Sequence, residues 1–456
     1  MIPQSEKVPS GAQLNALAQL NLNAGGLDIG AAEIWVCVPA DRDSEPVRKF
    51  DTFTPDLHKL ADWLVTCGVT SVAMESTGVY WIPLYEILER CGIVACLVNA
   101  HATKNVSGRK SDVLDCQWIQ QLHTYGLLQA SFRPPADIST LRTYVRQREM
   151  LLQQRARHIQ HMQKALHLMN LKLTSVITDI TGLTGMQILR AILAGEQDPI
   201  KLAQYRDHRC QHSADEIAKA LTGNYQPEHL FALRQAVEGY DFYTRQLVDC
   251  DAELERQYCV FAAQIDLVEH PLSAQPHRRR PNQPNFDLRT FLYTSTGVDL
   301  TAVDGIDVLL AQDIIAEIGL DMRQWPSEKH FASWLGLSPN NKSSAGKIKS
   351  RQSKQTTNRA NKAFRLAAQS VSRTQSALGA FFRRIKAKHG APVAITATAH
   401  KLARIVYSML KHRQPYRDPG AQSYNEQQRQ RLLHRLQYQA KKLGLALVPE
   451  AKPAVS

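Results

Sequence analysis

Four acidic residues in the N-terminal third have the types and order of a metal-binding site. Asp28 lies near the end of a predicted strand, Glu75 ends another, and Asp112 and Asp115 begin a predicted helix. Helical residues three apart share a face, so Asp112 and Asp115 can project together. Converging carboxylates repel one another unless cations hold them, and such hard oxygen ligands favour Mg²⁺ or Mn²⁺. Two of these ions about 4 Å apart can stabilise the attacking and leaving oxygens of a phosphoryl displacement.

The set of four is more informative than its members. Asp112 and Asp115 alone are ordinary acids of a first helical turn, where the helix dipole favours negative charge. In the right order on the right elements, the four acids favour a metal site. Three neighbouring cations could hold the backbone of a substrate strand: Lys104, Arg109 and Lys110.

The elements that must position these acids follow from the pattern of apolar residues. Strands are predicted over 22–29, 33–39, 47–53, 71–74 and 93–98. Helices are predicted over 54–66, with Thr54 as its cap, over 80–90, and from about residue 111. The order βββαβαβ followed by a helix is the topology of the ribonuclease H type of fold. In that topology the first and fourth strands are neighbours, which would place Asp28 beside Glu75.

The rest of the chain is predicted to be helical, so the fold class is α/β plus all-α. Two long helical stretches, 140–171 and 227–264, predict an antiparallel hairpin or coiled coil. A Pro, Asn and Arg cluster at 270–285 predicts a linker. The predicted parts are an N-terminal tail (1–23), a catalytic domain (24–136), a helical connector with its linker (137–290), a C-terminal domain (291–420), and a final helix and tail (421–456).

Positive charge is concentrated near the C-terminus. The 456 residues carry a net charge of +13, but residues 329–417 contain 19 Lys and Arg and no acid. The other 367 residues carry 36 Lys and Arg against 42 Asp and Glu, a net charge of −6. An acid-free basic region of this length predicts a polyanionic partner. Eight cysteines without a CxxC pair, and no apolar run of about 18 residues, predict a cytoplasmic protein with no membrane segment.

These motifs resemble those of a known family. Asp28 in GLDIG, Glu75 in MESTGVYW and the two acids in KSDVLD are similar to the DEDD motif of the "one-ten" family of insertion-sequence transposases, which carry a RuvC-like domain of the ribonuclease H type. Four further segments resemble the transposase domain of that family, in the same order: DGIDVLLAQDIIAEIG, FASWLGLSP, SSAGK and KLARIVYSMLKHRQPY. The resemblance covers roughly residues 24–135 and 296–417.

The resemblance also implies a nucleophile. In these relatives a serine a few residues after the GLxP turn attacks the DNA, and the matching position is Ser344, with Ser343 as the adjacent alternative. A serine hydroxyl needs a base, a metal or dense positive charge to attack phosphorus. Five cations surround it in sequence: Lys342, Lys347, Lys349, Arg351 and Lys354. The chain departs from the family at Ala345, where relatives usually have Gly.

A second departure lies in the segment VDGID, where Asp307 replaces the second Gly of a helix-hairpin-helix motif. We therefore expect a structural hairpin there rather than a contact with the DNA backbone. The apolar residues Phe331, Trp334, Leu335 and Leu337 are predicted to belong to the core rather than to stack on bases.

The function that the resemblance implies is DNA recombination by a transposase. Its carboxylates would bind Mg²⁺, Ser344 would attack the DNA, and an RNA encoded by the element would guide the protein to donor and target DNA. Recombination joins two duplexes, so a homodimer or homotetramer is expected. Two alternatives stay open: a metal-dependent junction endonuclease with a structural serine, and a non-catalytic nucleic-acid-binding protein. Neither a Walker nor a GxSxG motif occurs in the sequence.

Overall fold

The chain folds into two compact units that divide between Arg133 and Pro134. A computed structural model describes residues 18–75, 78–98, 112–261, 263–274, 282–339, 342–344, 347–350 and 358–448. For residue 112 and for the strands within 342–350 it describes the backbone alone. No helix in the described part of the chain has both the length and the apolar character to cross a membrane.

The first unit is built on a mixed five-stranded sheet. Its elements are β1 (Ala24–Ile29), β2 (Glu33–Cys37), β3 (Val47–Asp51), α1 (Thr54–Thr66), β4 (Ser71–Glu75), α2 (Trp81–Arg90), β5 (Val94–Val98) and α3 (Asp112–Thr124). The strand order is β3-β2-β1-β4-β5. The pairs β1–β2 and β2–β3 are antiparallel, whereas β1–β4 and β4–β5 are parallel. This confirms the predicted ribonuclease H-like topology, with β1 and β4 as neighbours.

The two faces of the sheet are covered differently. Leu27 and Met74 face a core formed with α1 and α2, in which Leu60 and Leu84 are fully buried. Ala73 faces the other side with residues of α3. Because successive strand residues point to opposite faces, Gly26, Asp28 and Glu75 belong to the α3 side.

The predicted helix over 54–66 is confirmed, but the predicted role of Thr54 is wrong. Thr54 is the first helical residue, and Phe53 occupies the cap position without a side-chain hydrogen bond. Pro55 explains the difference, because its fixed φ and missing N–H suit the first turn and set the start of the helix without a polar cap.

The second unit begins with two long helices separated by short ones. Its first elements are α4 (Ala136–Leu168), α5 (Leu173–Val176), α6 (Leu183–Leu193), α7 (Pro199–Ala203), α8 (Ala214–Ala220) and α9 (Pro227–Val260). Gln257 Nε2 donates to the Asp137 carbonyl at 3.1 Å, while His158 lies against Gly239. The start of α4 thus contacts the end of α9, and a later residue of α4 contacts an earlier residue of α9, so the helices are antiparallel. The predicted hairpin is confirmed, and the helices begin and end within four residues of the predicted bounds.

The remaining elements form a helical bundle with one small hairpin. They are α10 (Leu288–Thr296), α11 (Val308–Ile318), α12 (Glu328–Trp334), β6 (Lys342–Ser344), β7 (Lys347–Ser350), α13 (Arg359–Val371), α14 (Ala377–His389), α15 (Ala391–His412) and α16 (Gly420–Lys442). Phe331 is fully buried among Trp325, Phe364 and Tyr407. The predicted core positions Phe331, Leu335 and Leu337 are buried, and Trp334 is half-buried.

Candidate active site

Asp28 and Glu75 lie side by side at one edge of the sheet. The parallel register of β1 and β4 pairs Gly26 with Ala73 and Leu27 with Met74. Asp28 and Glu75 are the next residue on each strand, so the same register brings them level at adjacent strand ends. Each is half-buried. This is the juxtaposition predicted from the order of the strands.

A glycine lets α3 approach the sheet closely beside Asp28. A Cβ placed on Gly26 would lie 2.2 Å from the Gln120 amide nitrogen and 2.3 Å from the Cys116 carbonyl oxygen. Both are backbone atoms of α3, so no side-chain movement could relieve the clash. The absence of a side chain at Gly26 therefore sets the distance between α3 and β1 two residues before Asp28.

The direction of α3 brings its first turn to the same edge. Gln120 Nε2 donates to the Ala24 carbonyl at 3.3 Å, and His123 Nε2 lies 3.0 Å from Ser71 Oγ. The end of α3 thus covers the starts of β1 and β4, and Cys116 covers Gly26. The helix runs opposite to both strands. Four helical residues before Cys116 span about 6 Å and two strand residues after Gly26 about 7 Å, so the turn carrying Asp112 and Asp115 reaches the level of Asp28.

The pKa of the Cys116 thiol also indicates that α3 lies close to Asp28. Burial raises the pKa of the Cys116 thiol to about 12, with smaller contributions from Cys37 and from the negative charge of Asp28. The thiol is consequently neutral near pH 7 and a poor nucleophile. All eight cysteines are free. The effect of Asp28 on the Cys116 thiol indicates that the Asp28 carboxylate lies near the first half of α3.

The donor chemistry of this edge fits a divalent cation. Asp28, Glu75 and the half-buried Asp115 supply hard carboxylate oxygens from two strands and one helix. Within the side chains that the structure describes, no group of three or more His, Cys, Asp or Glu is gathered tightly enough to hold a metal. The side chain of Asp112, the fourth predicted ligand, lies outside the described residues, as do the predicted strand-binding cations Lys104, Arg109 and Lys110.

The predicted serine lies in a small hairpin of the second unit. Strands β6 and β7 are antiparallel, with Ser344 opposite Lys347 and Ser343 opposite Ile348. Ser344 is thus the last residue of β6. The described backbone places Lys342 and Lys349 on these same strands, and Arg351 and Lys354 lie outside the described residues.

The helices on either side of the serine hairpin are joined by a polar clamp that the sequence did not reveal. Asn361 Nδ2 on α13 donates to the Leu335 carbonyl, which ends α12, at 2.7 Å. Asn358 caps α13 through the Ala360 and Asn361 amides. The end of α12 and the start of α13 therefore lie close together, although the hairpin separates them in the sequence. A lone Asn in a polar stretch gives no sequence signal of such a long-range bond.

The segment around Asp307 is a capped turn. Asp307 Oδ1 accepts from the Leu310 amide at 2.9 Å and caps α11. Gly305 has a φ of +88°, and a Cβ there would lie 2.4 Å from the Ala367 carbonyl of α13. Asp307, which replaces Gly, therefore accepts a hydrogen bond from an amide at the start of α11. This structural role agrees with the predicted structural hairpin.

Comparison with known families assigns the segment with the four acids and the segment with the two serines to one family. The model of the DEDD transposases of IS110 type matches residues 25–170, which include all four acids. The model described as the transposase IS116/IS110/IS902 family matches residues 299–383, which include Ser343 and Ser344. No curated protein matches the chain. The two matches occur in the order that the sequence motifs predict, and the chain belongs to the IS116/IS110/IS902 family of transposases, which are DNA-cleaving and DNA-recombining enzymes.

Proposed function

We propose that this transposase recombines DNA through a composite site of the four carboxylates and Ser344. The observation that carries the proposal is the level placement of Asp28 and Glu75 on β1 and β4, with the first turn of α3 at the same edge. This arrangement is suited to divalent metal chemistry on a phosphate. Such metals are general in DEDD-type transposases, and we propose Mg²⁺, or Mn²⁺ in its place.

In this mechanism Asp28, Glu75, Asp112 and Asp115 would hold the metal. A bound Mg²⁺ would polarise the scissile phosphate. The Ser344 hydroxyl attacks phosphorus and loses its proton, a bond from phosphorus to a DNA oxygen breaks, and a DNA hydroxyl end leaves. The product is a phosphoserine link, and attack by a hydroxyl end of another strand reverses the step and rejoins DNA.

The charge around the serine supports this role. Lys342, Lys347, Lys349, Arg351 and Lys354 would hold the flanking phosphates, and Lys104, Arg109 and Lys110 would hold the strand beside the carboxylates. Residues 329–417 carry 19 cations and no acid. The clamp from Asn361 to Leu335 would keep the hairpin in place during attack.

The nucleophile is tested by trapping the covalent intermediate. Wild-type protein incubated with element-end DNA should give a protein–DNA adduct that survives denaturation. Ser344→Ala should abolish it, and the matched control Ser343→Ala should retain it. The reverse result would make Ser343 the nucleophile. Cleavage and rejoining at full rate by both variants would overturn serine chemistry and favour the junction endonuclease.

The carboxylate site is tested by Asp28→Asn and Glu75→Gln, which keep the side-chain shape and remove the charge. Both variants should lose strand cleavage while still binding DNA. Excision that persists undiminished in both would favour the non-catalytic alternative.

We further propose that an RNA encoded by the element guides the protein to donor and target DNA, and that a homodimer or homotetramer acts in the cytoplasm at the nucleoid. A basic region without a recognition-helix or zinc-finger pattern suits contacts to RNA and DNA backbones more than base reading. Sequencing of RNA that purifies with the protein from cells carrying the element should give one enriched, locally encoded species. An RNA profile without such a species would contradict guidance.

A further inference from the structure

Two cations lie against two aromatic rings where α14, α15 and α16 meet, and a third cation, from α16, acts electrostatically on one of them. Lys401 Nζ lies 4.9 Å from the ring centre of Phe381 and 5.5 Å from that of Tyr424. Arg384 Cζ lies 5.8 Å from both centres, and its Nε donates to Tyr424 Oη at 2.8 Å. The two rings meet edge to face at 6.4 Å. The rings hold the long cationic side chains in fixed positions.

The third cation comes from α16. Lys401 is half-buried, and its pKa is lowered by burial first and then by the positive charges of Arg384, Arg404 and Arg431. Arg404 is neutralised by an ion pair with Glu328. Arg384, Lys401 and Arg431, the cation cluster, form no ion pair with any carboxylate of the described residues. Asp418 is the nearby acid that opposes the shift of Lys401, and it accepts hydrogen bonds from the Ala377 amide and from Tyr416 Oη.

The rest of α16 extends this positive charge along one face. Tyr424, the single buried residue of the helix, packs it against α14. At 3.6 residues per turn, the face of Tyr424 continues through Arg431, Arg435 and Lys442, the basic stripe. The distance from Tyr424 to Lys442 is about 27 Å at 1.5 Å per residue. The whole helix contains five Lys and Arg and one acid, Glu426.

A group of cations that form no ion pair with a described carboxylate and lie against aromatic rings matches a polyanion. Like charges destabilise one another unless an anion separates them, and a linear anion is needed to reach both the cluster and the stripe. We propose that the cation cluster and the basic stripe of α16 bind successive phosphates of a nucleic-acid strand. The family matches end at residue 383 and do not reach α16. The proposal rests on the action of the chain on nucleic acid, and it is independent of the serine chemistry proposed above.

The test compares two arginines of the same helix. Arg431→Gln and Arg429→Gln make the same charge change, but Arg429 is on the opposite face from the stripe. Affinity of the full chain for a duplex DNA and for a single-stranded RNA is measured from low to high salt. Affinity falls as salt rises, so the slope of log K against log salt is negative. Arg431→Gln should make this slope less steep, by about 0.9 on DNA or about 0.7 on RNA. Arg429→Gln should leave the slope unchanged.

The pattern across the two probes identifies the source of the phosphates. If the slope becomes less steep on DNA alone, the ligand is the duplex, and if it does so on RNA alone, the ligand is the single strand. If it does so on both probes, the ligand is the phosphate backbone that they share. Equal slopes for Arg431→Gln and Arg429→Gln on both probes would overturn the proposal.

A second measurement separates nucleic-acid binding from self-association. Leu432 and Leu436 are exposed on α16 outside the basic stripe, and a second copy of the chain is the alternative occupant of this helix. The mass of the nucleic-acid-free protein should be the same for wild type and Arg431→Gln. A change in mass with an unchanged salt slope would make α16 a protein interface. Lys401→Met, which keeps the stem against the rings, should make the slope less steep as Arg431→Gln does.

Discussion

At the scale of single residues, the candidate site combines predictable and unpredictable features. Asp28 and Glu75 were predicted as neighbours because strand order alone brings them together. Gly26 carried no such signal, although it fixes how closely α3 packs beside them. A glycine in a strand pattern indicates close approach of some backbone, but only the folded chain tells which one.

Gly26 gives the sharpest stability prediction of the first unit. Gly26→Ala should lower the free energy of unfolding by about 1–3 kcal/mol, because its Cβ would press on backbone atoms of α3. Thermal unfolding measures the loss. Gly25→Ala is the matched control, since the nearest atom to its Cβ is a side-chain methyl of Val72 at 3.1 Å. Equal losses for the two variants would contradict the packing argument.

His123 should make the first unit sensitive to acid. Burial lowers the pKa of His123 below its usual 6.5, so the unfolded chain binds a proton more readily than the folded one. Stability linked to His123 is therefore present above pH 6.5 and is lost as the pH falls through the folded pKa. The melting temperature should drop less between pH 7.5 and 5.5 in His123→Gln than in wild type. His58→Gln, at an exposed position of α1, should show the wild-type drop.

At the scale of elements, the long hairpin depends on one buried ion pair. Arg148 Nε on α4 lies 2.5 Å from Asp251 Oδ1 on α9, and each residue is 5% exposed. The other carboxylate oxygen of Asp251 accepts from the Asn285 amide at 3.1 Å, so the pair also ties down the chain after α9. The apolar period predicted both helices. It could not predict the pair, because charged residues are read as exposed until a partner is found.

Removal of one partner should be costly because it leaves the other buried and unpaired. Asp251→Ala should reduce the free energy of unfolding by about 3–5 kcal/mol, measured by denaturant titration. The exposed pair of Arg190 and Asp241 provides the control, and Asp241→Ala should cost less than about 1 kcal/mol. Replacing both members of the buried pair, as Arg148→Met with Asp251→Leu, should recover much of the loss. A double variant no better than Asp251→Ala would contradict this account.

At the scale of the whole molecule, the two units differ in the sign of their net charge. Residues 1–133 carry 10 Lys and Arg against 14 Asp and Glu, while residues 134–456 carry 45 against 28. Sequence was sufficient for the basic region at 329–417, for the ribonuclease H-like topology and for the family, because each depends on local pattern and order. It was insufficient for the Asn361 clamp and the cation cluster, whose partners are separated by 17 to 47 residues and meet only after folding.

This division of charge predicts that metal removal separates binding from cleavage. The phosphates of DNA are attracted to the basic second unit and repelled by the acidic edge of the first, so a cation is needed only where strand and carboxylates meet. Chelation with EDTA should abolish strand cleavage and change DNA affinity at constant ionic strength by less than about threefold, since counterion release from lysines and arginines dominates binding. Asp28→Asn with Mg²⁺ present should reproduce both effects. Cleavage that continues in EDTA would refute the metal site. A large loss of DNA affinity in EDTA would show that the carboxylate edge, rather than the basic unit, holds the DNA.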